Sequence, residues 1–97
     1  MSSPWQETID FAETVRKTLH THPELSWQET NTAALVRAKL DELNIPWRAC
    51  AKTGTLAYLR KDAEGPAIAL RGDMDALPIQ EQTGKAWQSE HPGCMHA

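Results

Sequence analysis

The stretch from Ala67 to Pro78 limits the possible folds of this chain most strongly, because a short apolar run leads there into two carboxylates. Residues 67–70 are small or apolar, a composition typical of a buried strand. Asp73 and Asp75 follow that run almost at once. In open α/β sheets, ligands and catalytic groups gather at the C-terminal ends of strands. The stretch therefore favours an α/β fold with chemistry close to the two aspartates.

The first half of the chain has the pattern of two helices. Ser3–Gln6 combines a capping serine, a proline at the first helical position and a glutamine that completes a capping box. His22-Pro23 ends that helix, since the residue before proline avoids the helical region. Ser26–Glu29 predicts a second capping box, and Asn44 a second helix end. Apolar residues recur at helical spacing in both segments: Trp5, Ile9, Ala12, Val15 and Leu19, then Ala33, Val36, Leu40 and Leu43.

Three strands are predicted in the second half, at Ile45–Ala51, Leu56–Arg60 and Ala67–Leu70, with residues 61–66 as a hairpin loop. The predicted fold class is therefore α/β, with two N-terminal helices followed by three strands. Residues 1–97 are expected to form one unit without a second domain. We also expect Trp5 and Trp27 to fold back onto the packing faces of their helices.

Composition excludes several functional classes. The net charge of −3 gives no electrostatic reason to expect nucleic acid or an anionic membrane as a partner. No apolar run is long enough to span a bilayer, and the N-terminus lacks the pattern of a signal peptide. Cys50 and Cys94 are too few for a disulfide scaffold, so we expect reduced thiols and a cytoplasmic location.

Asp73 and Asp75 are the first candidates for chemistry. In an extended segment their side chains point to the same face, where they can share a cation or orient a histidine ligand. The alternative is a simple turn, in which aspartates are common and Arg71 neutralises Asp73. Spacing alone slightly favours the turn.

Two histidine-containing segments are further candidates. Cys94-Met95-His96 has zinc-type ligands, but a complete site needs three or four and the spacing matches no finger pattern. A flexible terminal tail is the alternative. His20, His22 and Glu24 lie at a helix end, where an imidazole interacts favourably with the helix dipole. We therefore prefer a capping role to metal ligation for them.

Taken together in chain order, these motifs resemble the N-terminal part of a known family. It is the metal-dependent amidohydrolase branch of the aminoacylase and carboxypeptidase-like peptidases, which includes N-acyl-amino-acid amidohydrolases, hippurate hydrolases and auxin-conjugate hydrolases. The resemblance covers the whole chain but only the first part of the family's catalytic domain. It rests on Leu19–Ser26, Glu29, Thr53-Gly54, Leu70–Ile79 and Met95–Ala97.

The resemblance implies a two-metal hydrolase, in which two divalent cations (Zn, Mn, Co or Ni) activate a water for attack on an amide carbonyl. Asp75 falls where the wider family keeps an aspartate behind a metal-binding histidine, and Asp73 falls at the position of that histidine. Cys94 and His96 do not match the family's ligands. Those are expected in a Cys-Gly-His-Asp segment directly after Ala97, so no metal ligand is expected within this chain.

We therefore expect an N-terminal segment of an amidohydrolase acting on N-acyl amino acids or small peptide-like conjugates. Alone, it is expected to be inactive, to bind no metal and to self-associate through an unpaired sheet edge. One alternative is a free-standing interaction module that uses this edge. Another is a phosphohydrolase of the haloacid dehalogenase type, which also places Asp-x-Asp after a strand. Arg71-Gly72 between the predicted strand and Asp73 disfavours that alternative.

Overall fold

The computed structural model describes residues 3–97, which form two helices and a two-stranded antiparallel sheet. Helix α1 spans Pro4–Thr21 and helix α2 spans Thr30–Glu42. Strand β1 spans Trp47–Cys50 and strand β2 spans Gly54–Ala57. The α/β class and the order of helices before strands are confirmed.

Helix α1 begins and ends where the sequence predicts. The Ser3 hydroxyl accepts a hydrogen bond from the Gln6 N–H at 3.1 Å, and His22 caps the C-terminus just before Pro23. The packing prediction for this helix is wrong, however. Trp5 is 78% exposed, and no residue of α1 is buried. Val15 and Leu19, in the C-terminal half of α1, are only half-buried, so its apolar face is covered in part at that end.

Helix α2 begins later than predicted, so the expected capping box at 26–29 is wrong. Trp27 has a positive φ of 67°, which no helix tolerates, and the Gln28 N–H donates to the Leu25 carbonyl in a turn instead. Trp27 is 62% exposed and does not pack onto the helix. Glu29, at the N-cap position, makes no capping hydrogen bond through its side chain.

The C-terminal end of α2 follows the prediction. Asn44 adopts the left-handed conformation, with φ of 56°, and the Ile45 N–H donates back to the Leu40 carbonyl at 2.9 Å. Asparagine tolerates this conformation better than most residues, which explains why the helix stops there.

Strands β1 and β2 form a hairpin in which Trp47 pairs with Ala57 and Cys50 with Gly54. A Cβ at Gly54 would lie 2.6 Å from the Cys50 carbonyl oxygen, so the turn requires glycine at this position. Arg37 of α2 donates to the Gly54 carbonyl at 2.9 Å, and this bond holds the hairpin against the helix.

The predicted third strand is not part of the sheet. Ile68 is 91% exposed and Leu70 is 95% exposed. Their apolar composition predicted burial, but no other strand of residues 3–97 lies beside them to pair with their backbone. The expected order of two helices and three strands is therefore corrected to two helices and two paired strands.

The core is small and lies where loops meet the helix ends. Ala33, Ala76 and Cys94 are its buried apolar residues, and Pro23 is fully buried. The segment around Cys94 is therefore packed, which corrects the alternative of a flexible tail. Within residues 3–97, no helix has the length and hydropathy required to cross a membrane.

Because Ile68 and Leu70 are exposed, we expect the double variant I68K/L70K to change the free energy of unfolding by less than about 0.5 kcal/mol. It should also reduce self-association, since it removes an apolar surface. Urea denaturation and analytical ultracentrifugation measure the two effects. As a control, Ala33→Lys places a charge at a position only 2% exposed and should destabilise the fold by more than about 2 kcal/mol. A loss of similar size in I68K/L70K would show that these side chains are buried.

Candidate functional site

The segment 21–25, between the two helices, holds together the later parts of the chain. The Thr21 carbonyl accepts from the Glu90 N–H at 2.9 Å, and the Glu24 carbonyl accepts from the Ala76 N–H at 2.8 Å. The Pro23 carbonyl accepts from the Nδ1–H of His91 at 2.8 Å. Three carbonyls of one short segment thus bind two distant loops.

Asp75 is placed by this arrangement. Leu25 and Ala76 form an isolated parallel bridge, so Asp75 is the residue directly before a backbone contact with segment 21–25. Its side chain is exposed. Asp73 is paired instead with Arg71, with Nη2 to Oδ1 at 2.9 Å, on the surface. The sequence left two alternatives for Asp73, a cation site or a turn in which Arg71 neutralises its charge. The ion pair with Arg71 forms, as the second alternative predicted.

Both predicted carboxylates line one open cavity of about 680 Å³. The hairpin contributes its turn to the same cavity, and Trp27 stands at its border in a backbone conformation rare for a bulky residue. The volume is within the range of small-molecule sites. The two aspartates are therefore brought together in one place, although Asp73 is occupied by Arg71.

His96 lies close to Asp75. Met95 and Leu77 exchange two backbone hydrogen bonds, at 2.9 and 3.0 Å, and these align the end of the chain with the residues that follow Asp75. Burial lowers the pKa of His96, the nearby His20 adds to this effect, and the Asp75 carboxylate opposes it. The imidazole is therefore neutral near pH 7, because its pKa lies below the ordinary value of 6.5.

His20 is held by a carboxylate that sequence reasoning missed. Its Nε2–H donates to Glu81 Oε1 at 2.7 Å, and the Glu81 side chain is only 2% exposed. Glu81 also accepts from the Thr83 hydroxyl and from the Ser89 N–H. The hydrogen bond from Thr83 is the largest influence on the pKa of Glu81 and lowers it, whereas burial raises it; overall the pKa is lowered. The rings of His20 and His96 lie 6.4 Å apart.

Glu24 was expected to cap the C-terminal end of α1, but its carboxylate binds the N-terminal end of α2 instead. Its Oε2 accepts from the Asn31 N–H at 3.1 Å and its Oε1 from the Thr32 N–H at 2.5 Å, at the N-terminus of α2. Burial raises the pKa of Glu24, but these N–H bonds outweigh it, and the pKa is lowered overall. No sequence pattern identified this contact, because Glu24 lies outside the short spacing of a capping box.

These groups do not form a complete metal site. No cluster of three or more histidine, cysteine, aspartate or glutamate side chains in residues 3–97 has the geometry to hold a metal ion. Cys94 is buried, and burial together with the Glu24 carboxylate raises its pKa, which disfavours the thiolate that metals bind. The donor set of the described residues therefore does not fit a two-metal centre on its own.

No family model matches the chain, but its sequence is similar to those of several known proteins. It is 50% identical over 84 residues to N-acetyl-L-cysteine deacetylase of Bacillus subtilis (strain 168), which covers 86% of this chain and 20% of the relative. It is 38% identical over 93 residues to IAA-amino acid hydrolase ILR1-like 5 of Arabidopsis thaliana, covering 95% of this chain and 21% of the relative.

The fold agrees with these relatives. The Bacillus subtilis YXEP protein, a dinuclear metal binding peptidase from the M20 family, superposes with a TM-score of 0.84 and 43% identity. The match covers 90% of this chain and 25% of that protein. The chain is thus similar to one segment of these hydrolases, and it spans about a fifth of the length of the curated relatives.

The buried Glu81 carboxylate predicts a pH effect on stability. Its folded-state pKa lies below the ordinary value of 4.5, so the unfolded chain takes up its proton first as the pH falls. The stability that Glu81 contributes at neutral pH is therefore lost on acidification. We expect Glu81→Gln to lower the stability at about pH 7 and to reduce the further loss at about pH 3, as measured by urea denaturation.

Glu90→Gln is the matched control, because the Glu90 side chain is 66% exposed and lies 3.6 Å from His22. It should keep the pH dependence of the unmodified chain. If Glu81→Gln kept that dependence as well, Glu81 would not hold the charged, hydrogen-bonded position described above.

Proposed function

We propose that this chain is part of a two-metal amidohydrolase that cleaves the amide bond of N-acyl amino acids or small peptide-like conjugates. The observation that carries the proposal is the superposition of 90% of the chain on a dinuclear metal binding peptidase, with a TM-score of 0.84. The names of the two relatives support the substrate class, since one acts on N-acetyl-L-cysteine and the other on an IAA-amino acid.

The role proposed for this chain is to shape one side of the active site. Asp75 is the supporting carboxylate, because it lines the open cavity and contributes its charge to the surroundings of His96. Asp73 has a lesser role, since Arg71 already occupies one of its oxygens. The two divalent cations proposed (Zn, Mn, Co or Ni) need ligands beyond those that residues 3–97 bring together.

The proposal includes the setting in which the protein acts. A small molecule is the expected partner, because the net charge of −3 does not favour nucleic acid or an anionic lipid surface. A cytoplasmic location is proposed as well. Cys50 and Cys94 are free thiols, Cys50 on the surface and Cys94 buried, which suits a reducing compartment.

The test is turnover of a panel of N-acyl amino acids by the intact protein expressed from its native gene. We expect hydrolysis that a metal chelator abolishes. Asp75→Asn should lower kcat/KM by about 10- to 100-fold, the usual cost of losing a residue that supports a metal ligand. Asp62→Asn is the control, because Asp62 is exposed in the loop before residues 67–70 and should leave turnover unchanged.

The 97-residue chain alone, supplied with the same metals, is expected to show no turnover above background, since residues 3–97 lack a complete ligand cluster. Turnover by this chain would contradict that expectation. One observation supports the alternative of a protein-interaction module: the apolar side chains of Ile68 and Leu70 are exposed. An intact protein without hydrolase activity that retains one specific partner through these residues would replace the amidohydrolase proposal.

A further inference from the structure

Glu24 connects two parts of the molecule through two different groups. Its carboxylate binds the N-terminus of α2, with one oxygen on the Asn31 N–H and the other on the Thr32 N–H. Its backbone carbonyl binds the Ala76 N–H at 2.8 Å. Both oxygens of the side chain are thus engaged by one helix, while the backbone of the same residue holds the loop that contains Asp75.

The surroundings of Glu24 make this connection stiff. Pro23, directly before it, is fully buried and has a restricted φ. Ala76 is 3% exposed, and Leu25 and Ala76 form a bridge beside the Glu24 bond. A carboxylate that accepts two backbone N–H bonds at a helix N-terminus is also favoured by the helix dipole. Helix α2 therefore fixes Glu24, and Glu24 fixes the position of Ala76.

Asp75 is one residue from this anchor and has an exposed side chain. Within residues 3–97, the Asp75 carboxylate has no ion pair like the one that joins Asp73 to Arg71. The placement of Asp75 therefore depends on the backbone hydrogen bonds of the next two residues, Ala76 and Leu77. We propose that Glu24 is a positioning residue, which transmits the position of α2 to Asp75 and so orients that carboxylate in the active site. This inference rests on the function proposed above.

Hydrogen exchange in the 97-residue chain tests the connection directly. The Ala76 N–H donates to a backbone carbonyl that Glu24→Ala leaves in place. If the side chain positions this loop, Glu24→Ala should accelerate exchange at Ala76 by about tenfold, the factor that corresponds to losing one helix cap. Glu24→Gln should restore part of the protection, since an amide oxygen still accepts one N–H bond.

Ser3→Ala is the matched control. Ser3 caps α1 through the Gln6 N–H, so its loss removes a helix cap far along the chain from Ala76. It should leave exchange at Ala76 unchanged. Equal acceleration in Ser3→Ala and Glu24→Ala would mean that any loss of a cap loosens the loop, and unchanged exchange in Glu24→Ala would mean that the side chain does not position it. Either result overturns the proposal.

Kinetics of the intact protein test the consequence for catalysis. Glu24→Ala should lower kcat by about tenfold with little change in KM, because Asp75 is misplaced while substrate binding is retained. Ser3→Ala should leave both constants unchanged. A loss in Glu24→Ala that appears only in KM would overturn the positioning role. An unmodified protein without activity would contradict the proposed function alone, since the exchange measurement does not depend on turnover.

Discussion

The hydrogen bonds accepted by the carbonyls of segment 21–25 are the interaction on which the rest of the structure depends. Neither helix packs extensively on the other, and the sheet has only two strands. The backbone of this short segment, with Pro23 buried at its centre, therefore holds the loops after residue 70. The bond between His20 and Glu81 adds a side-chain contact to the same loops. Pro23 is buried, and the carbonyl of a buried residue needs a partner, so the segment and the loops specify each other.

The charged groups around this segment differ in what sets their pKa values. Glu81 and Glu24 have lowered pKa values because N–H and hydroxyl groups bind their carboxylates. His96 has a lowered pKa chiefly because it is buried. The result is a set of fixed negative charges in the scaffold and a neutral imidazole beside Asp75. Such separation of charge states is common near sites of acid–base and metal chemistry.

Local signals in the sequence predicted the ends of α1 and the C-terminal end of α2. Ser3, Pro23 and Asn44 act within one turn of the chain, and their effect does not depend on distant residues. The α/β class and the approximate hairpin followed from periodicity and turn composition. The resemblance to the amidohydrolases rested on the order of several short motifs, and the comparisons confirmed it.

The exposure of residues 67–70 and the contacts of Glu24 and Glu81 could not be predicted, because they depend on residues that are distant in the sequence. Residues 67–70 have the composition of a buried strand, but burial requires a neighbour that residues 3–97 do not supply. Glu24 follows helix α1, but its carboxylate binds the N-terminus of helix α2. Glu81 pairs with His20, which lies 61 positions earlier in the chain. Neither contact has a fixed spacing that a sequence pattern could detect. The roles of Asp73 and Asp75 stay predictions.

The central proposal is that this chain contributes part of the scaffold of an amidohydrolase site, whose complete set of metal ligands residues 3–97 do not bring together. The most direct test is to read the coding frame of the native gene beyond the Ala97 codon and to confirm the mass of the product. The account predicts that the frame continues into Cys-Gly-His-Asp and a protein several times longer. A stop codon at that point, with a folded 97-residue product accumulating in cells, would contradict it.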